Sequence, residues 1–320
     1  MNRTRILNLL RAFGPLFALV LVYTFFAVLN AKITSLTAVE TMVQQTVIVG
    51  VAAIGMTLVI ISGGIDLSAG SMIAFCSVVA ALILEDAGLS PVFVAVGCIL
   101  AGMISGLLNG FLITRFRLVP FIVTLGTLLV IRGFAKGLSN SIPINVSQTW
   151  LSDLLATLPP GQKWQLIPPG AWLMLLLAAL AAGMLRYTRL GRHIFAVGSN
   201  EKTAILCGIA VERIKLFVYA AAGAFAGLAG LMLMSYQEQG DPIGAVGLEL
   251  EVIAAVVIGG GSLSGGEGSI LGTMVGAMIM TVIRTGCQLN GWPPWVTQIV
   301  TGTVIVMAVA IDRLRHSKSV

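Results

Sequence analysis

The sequence is short of charge above all. Of its 320 residues only 10% are Asp, Glu, Lys or Arg, against 57% hydrophobic, and the mean hydropathy is +0.99. A soluble domain carries roughly 25% charged residues, so lipid is the solvent for most of this chain's exterior. Histidine is nearly missing, with His193 and His316 the only two. No H-E-x-x-H or G-x-S-x-G arrangement occurs among the apolar runs, which removes the residues an intramembrane hydrolase needs. Nor is there a G-x-x-x-x-G-K-[ST] phosphate loop. Cys76, Cys98 and Cys287 fall in apolar runs and Cys207 in a polar stretch, a scatter that suggests neither a disulfide framework nor a metal site.

Long apolar runs are what the chain does have. A helix needs about 20 apolar residues to cross a bilayer, and ten candidates emerge: 12–30, 41–62, 66–84, 91–114, 119–138, 170–187, 214–236, 250–262, 267–288 and 294–311. The eighth is short and runs into a glycine cluster. Arg3, Arg5 and Arg11 precede the first run, but no A-x-A pattern follows it, so it reads as an uncleaved span.

Charge placement tests this count. The net charge of +6 does not point to nucleic acid, because the basic residues sit at the ends of apolar runs. With the N-terminus inside, fourteen basic residues fall on the cytoplasmic side: Arg3, Arg5, Arg11, Arg115, Arg117, Arg186, Arg189, Arg192, Lys202, Arg213, Lys215, Arg313, Arg315 and Lys318. Only three, Lys32, Lys136 and Lys163, fall opposite, where Glu40, Glu85, Asp86, Asp153, Glu238, Asp241 and Glu249 gather. The positive-inside bias therefore favours an all-α membrane protein with about ten transmembrane helices and both termini cytoplasmic. Residues 1–320 read as a single polytopic domain.

Two connections are long. Residues 139–169 form an outer loop in which Pro143, Pro159, Pro160, Pro168 and Pro169 exclude regular helix, with Trp150 and Trp164 suited to the membrane–water interface. Residues 188–213 form a basic inner loop. Within it Ser199 or Asn200 is a fair N-cap, Glu201 suits the positive end of a helix, and Gly208 suits a C-cap. The helix between them, roughly 200–207, has about two turns and must dock to persist. It either lies on the inner leaflet or inserts into a cytoplasmic partner.

Two glycine clusters interrupt the apolar pattern. Gly63-Gly64-Ile65-Asp66-Leu67-Ser68-Ala69-Gly70-Ser71 is either a tight cytoplasmic turn capped by Asp66 or Ser68, or a helix break in a protein-lined path. Gly259 through Gly268 repeats G-G-x-x-L-S, a likeness that duplication or chance explains equally. Its Leu263-Ser264-Gly265-Gly266 looks like the ATPase signature of ATP-binding-cassette proteins, but it joins two spans and has no phosphate loop beside it. Arg132 and Arg284 lie in the outer parts of spans, where long side chains can snorkel. Glu249 and Glu251 open the eighth span at its outer end. Gln44, Gln45, Asn109, Thr124, Thr127 and Gln298 either hydrogen-bond between helices or face a pore.

Three blocks together resemble the permease subunits of ribose-type sugar ABC importers, a bacterial binding-protein-dependent family. They are Gly55-Met56-Thr57-Leu58-Val59-Ile60 leading into Gly63–Ser68, the inner loop from Thr188-Arg189-Leu190-Gly191-Arg192 to Gly208-Ile209, and Leu250-Glu251-Val252-Ile253-Ala254-Ala255-Val256-Val257-Ile258-Gly259-Gly260. The likeness spans nearly the whole chain. It implies a pair of permeases (homo- or heterodimer), two separate ATPase subunits carrying ATP and Mg, and a periplasmic binding protein. This chain itself would bind no cofactor, do no covalent chemistry and sit in the inner membrane among lipid. The resemblance makes the inner loop the ATPase-coupling element, with Gly191, Arg192, Gly198, Asn200, Glu201, Ala204, Leu206 and Gly208 as its candidates. Candidates for the translocation pathway are Gly63, Gly64, Asp66, Ser68, Asn109 and Glu251. Glu251 stands where relatives usually have Asp, Thr203 replaces a usual alanine and Ala69 a common valine, all mild changes.

The other class open to this sequence is an ion-coupled secondary transporter, which needs an ionisable residue near the bilayer midplane. The spans above place Asp66, Glu251 and Glu267 near ends, which counts against it.

Overall fold

The computed structural model describes residues 3–157 and 167–316; Pro159, Pro160, Lys163, Trp164 and Lys318 lie outside them. Among the described residues the chain forms α1 (Arg3–Leu29), α2 (Leu36–Ile61), α3 (Ala69–Glu85), α4 (Pro91–Arg115), α5 (Pro120–Leu138), α6 (Pro169–Tyr187), α7 (Arg189–Ser199), α8 (Glu201–Leu206), α9 (Val211–Gln237), α10 (Leu248–Ile258), α11 (Ile270–Leu289) and α12 (Pro294–His316). Helices α2, α4, α5, α6, α9 and α11 are long and apolar enough to cross a membrane, while Gly14–Leu29, α3 and Pro294–Ala310 are shorter apolar helices. This is an all-α membrane protein.

Local chemistry sets most boundaries. Pro91, Pro120, Pro169 and Pro294 each open a helix, where the missing N–H would have had no partner. The Ser35 side chain accepts from Ala38 N at 3.3 Å to start α2, and Gly63, at φ +82°, ends that helical path in a conformation that suits glycine. The expected interior helix near 200–207 is present as α8. The stretch before it, read only as part of the inner connection, is helical as α7: Thr188 caps it by accepting from Gly191 N at 3.1 Å, and Ile194 and Val197 are buried along one side.

Helix α2 is the enclosed centre of the bundle. Thr46 and Thr57 bond to Thr281 and Thr273 at 2.7 and 2.9 Å, tying α2 to α11. The most extensive helix pair is α4 with α9. There Gly102 and Gly106 on α4 meet Gly223, Gly227 and the Tyr219 carbonyl on α9 so closely that any Cβ would overlap backbone. Small residues one turn apart allow this approach, and lipid-embedded helices rely on it because hydrophobicity does not separate helix from lipid.

One end of the bundle collects the turns at 62–66, 116–119, 188–210 and 259–268. The opposite end carries a two-residue ribbon, β1 (Ile144–Asn145) against β2 (Gln239–Gly240), antiparallel. There the Glu85 carboxylate accepts from the Ser147 amide and hydroxyl, and Gln44 Nε2 donates to the Leu155 carbonyl at 2.7 Å.

Candidate functional site

Helix α8 projects from the first end. Asn200 caps it by accepting from Thr203 N at 3.0 Å, and its last turn closes at Gly208, φ +79°, where Gly208 N and Ile209 N donate to the Ile205 and Ala204 carbonyls. Ala204 faces inward, fully buried, while Leu206 is 87% exposed and Ile205 57%. A helix this small offers little by itself, yet it presents two large apolar side chains outward. Lys215 of α9 holds Glu201 at 2.7 Å, pinning the start of α8 to the bundle. Beside it opens a cleft of about 710 Å³, lined by Arg117 and Leu118 between α4 and α5, Ile205 on α8, and Glu212, Arg213 and Lys215 on α9.

The root of this lever is a three-way glycine junction. The Gly266 amide donates to the Ile61 carbonyl at 2.9 Å. A Cβ on Gly198, at the end of α7, would collide with both of those backbone atoms, and one on Gly265 would overlap Gly198 and Gly63. The turn after α2, the end of α7 and the turn after α10 therefore touch backbone to backbone. Both glycine clusters singled out from the sequence meet the inner loop here. Arg192 is exposed on α7, and Gly191 lies against the Leu185 backbone.

Just past this junction Asp66, Ser68 and Asn109 form one buried network. Asp66 accepts from the Ser68 amide and hydroxyl at 2.8 and 2.5 Å, and Asn109 Nδ2 donates to the Ser68 hydroxyl at 2.8 Å. The Thr124 hydroxyl donates to the Ile65 carbonyl at 3.2 Å, adding α5. Asp66, Ser68 and Asn109 are 2% exposed or less, so in this conformation they fasten the α2–α3 turn to α4. Gly64 packs against Tyr219 of α9.

The eighth expected span differs most. Helix α10 has 11 residues, about 16 Å at 1.5 Å per residue, half of a hydrocarbon layer of about 30 Å. Residues 238–247 reach it without regular helix, between left-handed Glu238 and Gly247. Gly240 packs against Ser77, Val78 and Ala81 of α3, whereas Ala245 and Glu249 pack against Gly70. The segment thus descends beside α3 by about 16 Å, eleven helical residues. The 27 residues of α9 give a second ruler: Gly230 lies against the Ile73 carbonyl, and Gly70 is one turn below Ile73. Glu249 accordingly sits near mid-height, not at the outer end.

Three charges follow from this placement. Arg132 does not snorkel: it is 9% exposed, and its guanidinium donates to the Pro242 carbonyl at 2.9 Å. Arg284, its side chain 37% exposed, lies 3.5 Å from Glu251. Glu251 therefore joins α10 to α11 and lies apart from the Asp66 network. Two oxygens in this middle zone, Ser71 Oγ and Glu249 Oε2, are buried without a protein partner, as is Gln237 Oε1 at the far end of α9.

Apolar helices packed through glycines, polar groups enclosed at mid-height and a small apolar helix exposed at one end define a multi-pass membrane transport protein. The chain belongs to the family described as "Branched-chain amino acid transport system / permease component", which matches residues 38–309. It is 37% identical to the ribose import permease protein RbsC of Escherichia coli (strain K12) over 94% of this chain and 93% of that protein. It is also 37% identical to the protein of that name from Bacillus subtilis (strain 168), over 97% and 95%. The L-arabinose ABC transporter permease protein AraH of Azospirillum brasilense is 35% identical over 88% and 81%. No solved structure matches the chain at a significant level. It is a multi-pass permease component of an ABC importer, seated in the inner membrane, and a transport subunit rather than an enzyme.

Proposed function

We propose that this chain forms the solute path of an ATP-driven importer for a monosaccharide or similar small polar solute. The sugar class rests on the chain's relatives, two of them named for ribose and one for L-arabinose. Residues 1–320 act as one polytopic domain with about ten passes and both ends cytoplasmic, the eighth pass made of the 238–247 segment plus α10. Two permeases pair above two ATPase subunits, which carry the ATP and Mg, and a periplasmic protein delivers the solute.

The single observation that carries this reading is the exposed α8 tip, rooted through Gly198 on the turns after α2 and α10. A partner that moves Ile205 and Leu206 moves backbone atoms in three separate turns at once. Gly191, Arg192, Gly198, Asn200, Glu201, Ala204, Leu206 and Gly208 form this coupling element, with the adjoining 710 Å³ cleft receiving an ATPase segment. Gly63, Gly64, Asp66, Ser68, Asn109 and Glu251 line or gate the path as the turns shift. Packed interfaces are bistable, so small displacements of such turns switch a cavity between openings.

The mid-height carboxylates also suit ion coupling, and one experiment separates the two. Purified permease is placed in proteoliposomes with radiolabelled ribose or arabinose. Uptake that appears only when ATPase, ATP and binding protein are added supports the importer. Uptake by the permease alone, driven by a proton or sodium gradient, would overturn it.

A further inference from the structure

Two buried polar atoms beside the Asp66 network have nothing to bond. One is the Tyr219 hydroxyl on α9, a donor on a residue 1% exposed, without a partner among the described residues. The other is Asn109 Oδ1 on α4, an acceptor on a fully buried residue. The network itself accounts for the second. Ser68 has one hydroxyl proton and gives it to Asp66, so Asn109 meets Ser68 with its amide nitrogen. That leaves Oδ1 with both lone pairs unused.

The two residues are neighbours. The Tyr219 carbonyl and Cβ lie over Gly106 and Gly110 of α4, and Asn109 stands between those glycines. The Tyr219 hydroxyl ends against Gly64, two residues before Asp66. A donor and an acceptor are thus held close together, both stripped of water and neither satisfied, which burial penalises twice.

Tyr219 also stands in line with the lever. Lys215 is one turn earlier on the same face of α9 and holds Glu201 of α8 at 2.7 Å. Glu201, Lys215, Tyr219 and Gly64 line one cleft of about 180 Å³, which extends to Gly198 and Ser264. A pull on α8 therefore reaches α9 one turn from the tyrosine, and reaches the Gly63–Gly64 turn through Gly198. The cleft gives ring and turn room to shift against each other.

We infer that Tyr219 is a positioning residue of the transport cycle: when a partner draws α8, the Tyr219 hydroxyl donates to Asn109 Oδ1, and that bond holds the second conformation. This rests on the permease reading above and deepens it. In the conformation described here the hydroxyl only costs stability. In the other it fastens α9 to α4 and, through Asn109 and Ser68, to Asp66. A bond made in one state alone biases the equilibrium between the two.

Tyr219→Phe isolates the effect, because the ring stays and only the oxygen goes. Thermal unfolding of the whole transporter, with its ATPase and binding protein, is compared without nucleotide and with ATP and vanadate trapped on the ATPase. In one state the variant should melt at the unaltered temperature or higher, and in the other a few degrees lower. Its ATP-driven uptake of radiolabelled ribose or arabinose should fall several-fold. Equal changes in both states, no change in either, or wild-type uptake would overturn the inference. Asn109→Ala tests the partner: adding Tyr219→Phe to it should lower neither uptake nor the melting temperature of that second state any further. Losses that accumulate would place the partner elsewhere and overturn the assignment. Uptake by the unaltered complex that requires ATP upholds the permease reading whatever Tyr219→Phe does.

Discussion

At the scale of single residues, the absence of a side chain does as much here as any side chain. Gly198 sits where a methyl group would push into the Ile61 carbonyl and the Gly266 amide. In an ordinary helix Gly→Ala gains up to about 1 kcal/mol, but overpacking costs about 1–3 kcal/mol, and the contact here is backbone that cannot rotate away. Gly198→Ala should therefore lower the melting temperature of the detergent-solubilised protein and uncouple ATP hydrolysis from uptake; an unchanged or higher melting temperature would remove the junction's importance. Asp66 gives a second test. Asn in its place keeps an oxygen to accept from the Ser68 amide and hydroxyl but loses the charge, which takes a hydrogen bond from about 1.5–3 kcal/mol to about 1 kcal/mol. Asp66→Asn should leave membrane levels nearly normal and cut transport several-fold; wild-type uptake would make that aspartate only a turn cap. Asp66 and Ser68 were visible as candidates because they follow paired glycines. Their link to Asn109 was not, since it joins residues 41 apart in sequence. The inward turn of Arg132 was equally hidden: its acceptor is a backbone carbonyl, which leaves no mark in a sequence.

Elements were legible where one rule sufficed. Runs of apolar residues opened by proline fixed α4, α5 and α6, and the Asn200 and Gly208 caps fixed α8. Helix α7 escaped although Thr188 followed by Leu190, Ile194 and Val197 is a capped helical face, because polar Arg189, Arg192 and His193 gave the stretch the look of a loop. The α4–α9 seam was also written openly, as Gly102, Gly106 and Gly110 against Gly223 and Gly227. It was hard to single out in a chain with 37 glycines. The start of α10, at Glu249 and Glu251, was placed at the outer end of a crossing span because hydropathy counts residues and cannot tell a crossing helix from a half-crossing one. For the lever, the sharpest test is a proline at Ala204. It removes the bond from Ala204 N to the Asn200 carbonyl, 2.9 Å, at a cost of about 3 kcal/mol in a helix interior. Ala204→Pro should abolish ATPase co-purification while membrane insertion persists; normal co-purification would show that α8 is not the contact.

For the whole molecule, charge asymmetry and helix packing describe one object. The turns at 62–66, 116–119, 188–210 and 259–268 gather at one end, and the loops near 85–90, 139–157 and 237–242 at the other, an alternation the basic residues follow. The lever matters only if its end faces the compartment that holds ATP. Cys207, next to Leu206, is the exposed cysteine, and Cys76, Cys98 and Cys287 are buried. A membrane-impermeant maleimide should label Cys207 in inside-out vesicles and leave it untouched in intact cells stripped of their outer wall. Labelling from the outer face would put α8 out of reach of any ATPase and contradict the account.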